Sequence, residues 1–306
     1  MSDSHAGLRH KIASAGDLQS VVRTMKALAA ASIGQYERAV VALADYDHSL
    51  GLGLGEFLRQ AGSAPVHPES AATDEADGVA AIVFGSDQGL VGQFNEVIAD
   101  YAIQTLSGLS GLSGTPRIWA VGERVYARLA GSGLAMLGLY AVPGSVESIA
   151  RLVGQMQIDS EAQRSRGGPS RLHVFHNRPI AGSGYEPSGR QLLPFDAAWQ
   201  QRLVAVPWPG KSLPEVMGAG VETLHALLGE YLFISLFRAC AESLASENAS
   251  RLAAMERADR NILDLLETLR GEFRRRRQNS IDEELFDVTA GYEALGRSFG
   301  NARTGT

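Results

Sequence analysis

Cysteine is nearly missing from this chain: among 306 residues only Cys240 carries a thiol. No internal disulfide can form, so stability has to come from a packed core, and a reducing compartment suits the chain. No uninterrupted run of 18 or more apolar residues occurs, which leaves no obvious membrane-spanning helix. Positive charge is not in excess either. The formal net charge is −6, from 28 Lys and Arg against 34 Asp and Glu, and a dedicated nucleic-acid binder usually shows the opposite balance. The opening residues, MSDSHAGLRHK, lack the apolar core of a signal peptide. Together these absences predict a soluble intracellular protein. With 45% hydrophobic and 20% charged residues, it has ample apolar material for one large domain or two modest ones.

Proline is absent by region. All 11 prolines lie between Pro65 and Pro214, and both ends of the chain are free of them. Proline inside a helix costs about 3 kcal/mol, so two long proline-free ends predict two long helices. In the first end, Ala15, Leu18, Val22, Met25, Ala29, Ser32, Tyr36, Ala39, Leu43, Tyr46 and Leu50 step by threes and fours, a heptad seam with many small members. A helix of about 45 residues would be roughly 70 Å long. In the last end, Leu252, Met255, Asp259, Ile262, Leu266, Leu269 and Phe273 repeat the same steps. The spacing predicts an antiparallel coiled coil of the two ends.

The middle has another rhythm. Residues 78–86 (GVAAIVFGS), 117–122 (RIWAVG) and 171–177 (RLHVFHN) are short apolar runs that close on glycine or a turn residue. Helical patterns at 95–106 and 145–163 alternate with them, which predicts a parallel or mostly parallel sheet. Residues 60–78 and 106–116 read as polar loops, and GSGYEPSG at 182–189 as a glycine-rich hairpin turn.

Chemistry is scarce. FGSDQGLVGQFN, residues 84–95, puts three glycines where a strand runs into a helix, a place where phosphate-binding loops sit. It matches neither G-x-G-x-x-G nor a Gly-Lys-Ser/Thr close, so a turn in which Ser86 or Asp87 caps backbone amides explains it better. His173 and His176 fall on opposite faces of a strand and make a poor metal pair. No G-x-S-x-G elbow and no paired carboxylates stand out. The residues predict no catalytic group, no cofactor and no metal. Four consecutive arginines, Arg274 to Arg277, precede Asp282, Glu283 and Glu284; on a helix they splay around the circumference, which suits polar partner contacts better than one flat nucleic-acid patch.

Two elements of the C-terminal helix carry a family resemblance. Ser246, Glu247, Arg251, Leu252, Ala254 and Met255 follow a S-E-x-x-A-R-M-x-A-M pattern, and Arg277, Gln278, Ile281, Glu284 and Leu285 follow R-Q-x-x-I-T-x-E-L. With the N-terminal LRHKIASAGDLQSVVRTMKALAAAS, the GSDQGLVGQFN turn and RQLLPF at 190–195, they make the chain resemble the gamma subunit of F-type rotary ATP synthases, in order from Leu8 to Leu295. The resemblance implies a non-catalytic rotor shaft: terminal helices coiled inside a ring of alpha and beta subunits, and a Rossmann-like foot against the epsilon subunit and the membrane c-ring. It implies a peripheral position on the cytoplasmic side of the cell inner membrane, with no nucleic acid bound and no direct membrane insertion. It assigns Met25, Lys26, Arg251, Arg277, Gln278, Asp282 and Glu284 to contacts with the beta subunits. Asp282 replaces the family's usual threonine, and residues 33–36 occupy a commonly basic place, departures that suggest the alternate N-ATPase branch and leave proton and sodium both open as the coupling ion.

The expected fold is therefore α/β: a long antiparallel coiled coil of the N- and C-terminal helices plus a central Rossmann-like α/β domain. Residues 1–60 should form the first helix, 61–210 the central domain and 211–306 the second helix. A non-rotary coiled-coil adaptor and a Rossmann-like ligand-binding protein stand as the alternatives, separated by whether ATPase subunits accompany the chain or a nucleotide binds to it.

Overall fold

The computed structural model describes residues 5–61, 78–109, 114–180, 184–212, 214–215 and 220–301, with the side chains of 61 and 291–301 left aside. Two helices dominate it, α1 (His5–Ala61, 57 residues) and α6 (Gly220–Asn301, 82 residues). Both come from the proline-free ends. Between them lie β1 (Val79–Phe84), α2 (Phe94–Ser107), β2 (Arg117–Val121), α3 (Glu123–Ala130), β3 (Ala135–Tyr140), α4 (Val146–Ser165), β4 (Arg171–Ile180), β5 (Gly184–Leu193) and α5 (Ala197–Val204). The chain divides into two compact units, one made of Met1–Ala27 with Met255–Thr306 and the other of Leu28–Ala254.

In the larger unit the five strands form one sheet in the order β3-β2-β1-β4-β5. The pairs β1–β2, β1–β4 and β2–β3 are parallel, and β4–β5 is antiparallel. Helices cover both faces, so the central strand β1 is buried at every position and reads VAAIVF without polar alternation. Its side chains divide with a period of two. Ala80, Ile82 and Phe84 meet α4 and α6 in one core, while Val79, Ala81 and Val83 meet α2 and α3 in another. A third cluster joins Leu50, Leu54 and Leu58 of α1 to Trp199 of α5 and to Leu228 and Ile234 of α6. One window of α6 is apolar enough to cross a membrane by length and composition, with mean hydropathy 1.3. The apolar part of α6 from Ile234 to Ala245 is spent inside these cores, with Ile234, Leu236, Cys240, Ala241 and Leu244 at most 4% exposed.

In the smaller unit the two helices run antiparallel. The His5 ring stacks edge-on to Phe273, while Gln19 and Arg23 reach Asp259 and Lys26 reaches Glu256, so rising numbers on α1 meet falling numbers on α6. Leu8, Ala15 and Val22 are buried at intervals of seven, and Met255, Ile262 and Leu266 answer them.

Two expectations are corrected. The heptad reading of α1 put Leu18 and Tyr46 in the seam, yet they are 54% and 50% exposed. The positions four residues after each buried one, such as Ile12, Gln19 and Lys26, are half-buried instead. Small residues such as Ala15 and Ala29 draw the helix close along one narrow line, and polar Gln19 and Lys26 then border it rather than apolar partners. The GSGYEPSG segment is also no turn from Gly184 onward: residues 184–193 are the edge strand β5, paired to β4 from Ile180↔Gly184 to Leu172↔Leu193. Its glycine has a packing reason, since a Cβ on Gly189 would lie 2.6 Å from the Phe175 ring. Of the stretches 60–78 and 106–116 that read as loops, residues 62–77 and 110–113 lie outside the described residues, while 60–61 end α1 and 106–107 end α2.

Candidate functional site

The GSDQGLVGQFN stretch is a tie between loops. Asp87 follows β1, and its two carboxylate oxygens accept from the Glu123 amide after β2 (3.0 Å) and the Val142 amide after β3 (2.9 Å). Asn95 closes the turn on itself, accepting from the Ser86 amide at 2.9 Å and donating to Ser86 Oγ at 2.8 Å. Two glycines make the crossing possible. A Cβ at Gly85 would lie 2.4 Å from Val125 Cβ, and Gly122 has φ 108° with its Cβ position 2.7 Å from the Ser86 carbonyl. Farther on, the Asn177 amide donates to the Phe94 carbonyl at 2.9 Å, and the Ser250 hydroxyl of α6 donates to the Val91 carbonyl at 2.5 Å. The Asp87 carboxylate and the Ser86 hydroxyl are thus bonded within the protein, and the loop anchors α6 to the sheet.

The same face of α6 holds Glu247, buried at 5% exposure, with Arg251 Nη2 at 2.5 Å from its Oε1. Burial, the largest cause, raises its pKa above the ordinary carboxylate value; Arg251 pulls it back, and Asp87 pushes it up further. Beside it, burial and the Glu247 charge raise the Tyr36 phenol and the Cys240 thiol, so both stay protonated and neither offers a nucleophile. A second polar chain crosses the unit. His176 Nε2 of β4 lies 2.8 Å from Glu242 Oε2, Glu242 is 3.9 Å from Arg238, and Arg238 reaches Asp47 of α1 at 3.1 Å. His173 faces the other side of the sheet beside Phe175, and burial holds its pKa below the usual imidazole value. Among the described residues no three His, Cys, Asp or Glu side chains converge as a metal site.

The residues expected to touch a partner fall into separate groups. In the smaller unit Met25 and Lys26 are half-buried on α1, with Lys26 Nζ 3.3 Å from Glu256 Oε1. Arg277, Gln278, Asp282 and Glu284 are exposed on α6, roughly 30–40 Å farther along that helix than Glu256 at 1.5 Å per residue. They therefore form a second site rather than one cluster. From Arg274 to Ala290 no residue is buried, and Ile281, Leu285, Phe286 and Val288 are 53–74% exposed. Arg251, in the larger unit, is tied to Glu247 and to Asn248 Oδ1 at 3.3 Å. Sequence reasoning missed the roles of Asn177, Glu242 and Ser250, since single polar residues in apolar runs do not name a partner 66 to 159 positions away, and it missed Asn95, whose partner Ser86 is near in sequence.

Long N- and C-terminal helices together with a mainly parallel five-stranded α/β sheet also occur in solved ATP synthase structures. They include the OSCP/F1/c-ring of the Euglena gracilis mitochondrial ATP synthase (TM-score 0.61, 15% identity, 95% of this chain and 94% of that one). Another is the central stalk/c-ring of the Tetrahymena thermophila mitochondrial ATP synthase (TM-score 0.52, 19% identity, 78% and 99%). A family model described as ATP synthase matches residues 4–295, and the chain belongs to that family as a gamma subunit. Curated relatives include the ATP synthase gamma chain of Salinibacter ruber, 28% identical over 95% of this chain and 98% of the relative. That of Allorhizobium ampelinum is 25% identical over 94% and 98%.

Proposed function

We propose that this gamma subunit is a non-catalytic rotor shaft, which couples proton or sodium translocation to ATP synthesis or hydrolysis in a ring of alpha and beta subunits. Its foot meets the epsilon subunit and the membrane c-ring, and the whole sits peripherally on the cytoplasmic side of the inner membrane without inserting. The observation that carries this reading is a stretch of α6 from Arg274 to Ala290 in which no residue is buried and all but Arg276 and Ser280 are exposed, as a shaft section enclosed by other subunits requires. Met25, Lys26, Arg251, Arg277, Gln278, Asp282 and Glu284 are its contacts with the beta subunits. Those contacts are polar and shallow, since an exposed ion pair is worth about 0–1 kcal/mol, which lets them break and re-form as the shaft turns. Residues 1–60, 61–210 and 211–306 are its working divisions, and its departures at residues 33–36 and at Asp282 support the alternate N-ATPase branch over the housekeeping one.

Purification through a tag on this chain tests the reading: alpha and beta subunits should accompany it in a fixed ratio and hydrolyse ATP. A chain that purifies without them, or that binds ATP or NAD by itself at micromolar concentration, would contradict it. Replacing Arg277 and Gln278 together should lower ATP-driven ion pumping and leave assembly intact.

A further inference from the structure

Beside the third core lies a hollow of about 200 Å³ between β5, the turn after it, α5 and α6. Its floor is a cluster of rings: Phe195 stacks on Trp199 at 4.4 Å, and Tyr231 stands edge-on to Trp199 at 5.2 Å. Its rim carries the guanidiniums of Arg190 and Arg202, both exposed, and neither has an acid or carbonyl partner among the described residues. The Trp199 indole N–H is buried without an acceptor. The one acid in the lining, Asp196, is already used, since its Oδ1 accepts from the Trp199 amide at 2.6 Å to cap α5. The hollow therefore offers donors and positive charge above an apolar floor, on a chain whose net charge is −6.

We propose that this hollow receives an acidic side chain from an extended segment of a partner polypeptide. Planar guanidiniums match a carboxylate in pairs, and the rings suit the apolar stem and neighbours of an Asp or Glu. A polypeptide fits better than a free anion. Two exposed arginines alone hold a small anion weakly, whereas a segment that also covers the rings shields the ion pairs from water. The proposal rests on the gamma-subunit reading, because the partner is taken to be a subunit that turns with this chain.

The test uses the assembled complex. A photo-crosslinking side chain at position 202 should join to an acidic segment of one subunit other than alpha or beta. Arg190→Glu combined with Arg202→Glu should reduce retention of that subunit at least tenfold, with alpha and beta at their normal ratio. Crosslinking to lipid, to alpha or beta, or to a segment without Asp or Glu overturns the proposal, and so does normal retention in the reversed variant. Titrating the free chain with sodium phosphate, or with vesicles containing anionic lipid, should leave its tryptophan fluorescence unchanged. A response abolished by Trp199→Phe would assign the hollow to a phosphate or a headgroup instead. Failure of alpha and beta to accompany the unaltered chain would overturn the gamma-subunit reading itself, an outcome separate from all of these.

Discussion

The helix α6 is buried in two quite different ways. In the larger unit, nearly every residue from Ile234 to Glu247 is buried, the partial exceptions being Arg238 and Glu242, which belong to one polar chain. In the smaller unit, among the described residues of α6 only Met255, Ile262 and Leu266 are buried, and nothing is from Leu269 to Ala290. A helix surrounded by sheet and neighbouring helices needs apolar or small residues all round, and ISLFRACAESLASE supplies them. A helix with a single partner needs one stripe, and RADRNILDLLETLRGEF supplies that. Burial is thus concentrated where the sheet is, while the smaller unit keeps a thin seam and a largely exposed surface in which Ile281, Leu285, Phe286 and Val288 lie open among charged residues.

The largest effects should separate these two regions. Ala241→Asp puts an uncompensated charge into a site with 0% exposure and should cost about 3–5 kcal/mol in urea unfolding, enough to prevent cooperative folding. Leu263→Asp, at a position 45% exposed, should stay within about 0.5 kcal/mol. Equal losses at both sites would erase the distinction. Asp87→Ala releases two backbone amides that it now satisfies and should cost about 1–3 kcal/mol, seen as an earlier urea midpoint.

A smaller effect concerns pH. The pKa of Glu247 is raised in the fold, so its contribution to stability is complete below the ordinary carboxylate range and is lost as pH rises through its folded value. The thermal midpoint should therefore fall as pH rises above the ordinary carboxylate range, and Glu247→Gln should flatten that slope. A slope unchanged in the variant would show that the fall has another source. Smallest of all, Lys26→Ala removes the pair to Glu256, in which both side chains are about 40% exposed, and should change stability by less than about 0.5 kcal/mol.

Much of this was legible in the residues. The absence of proline marked both long helices, and the C-terminal seam from Leu252 to Phe273 appears position by position as the half-buried and buried face of α6. The strands β1, β2 and β4 announced themselves because strands buried on both faces are continuous apolar runs. The edge strands did not. β3 (AMLGLY) and β5 (GYEPSGRQLL) are half-exposed and carry glycine or proline, so their local pattern reads as loop and only pairing makes them strands. The exposed Leu18 was missed because a heptad tells which residues are apolar, not which side of a small-residue line the partner helix takes. The polar tie of Asp87 could be guessed as a cap, but the amides that donate to it, those of Glu123 and Val142, come from the order of strands in space.

The central claim is that this chain turns inside a ring of catalytic subunits. It is tested most directly by fixing those subunits to a surface, attaching a bead to the sheet-bearing body through a residue such as Arg151, and supplying ATP. The account predicts bead rotation in one direction, in three equal steps per turn, that stops when ATP is removed. ATP hydrolysis by the immobilised complex with the chain present and the bead stationary would contradict it.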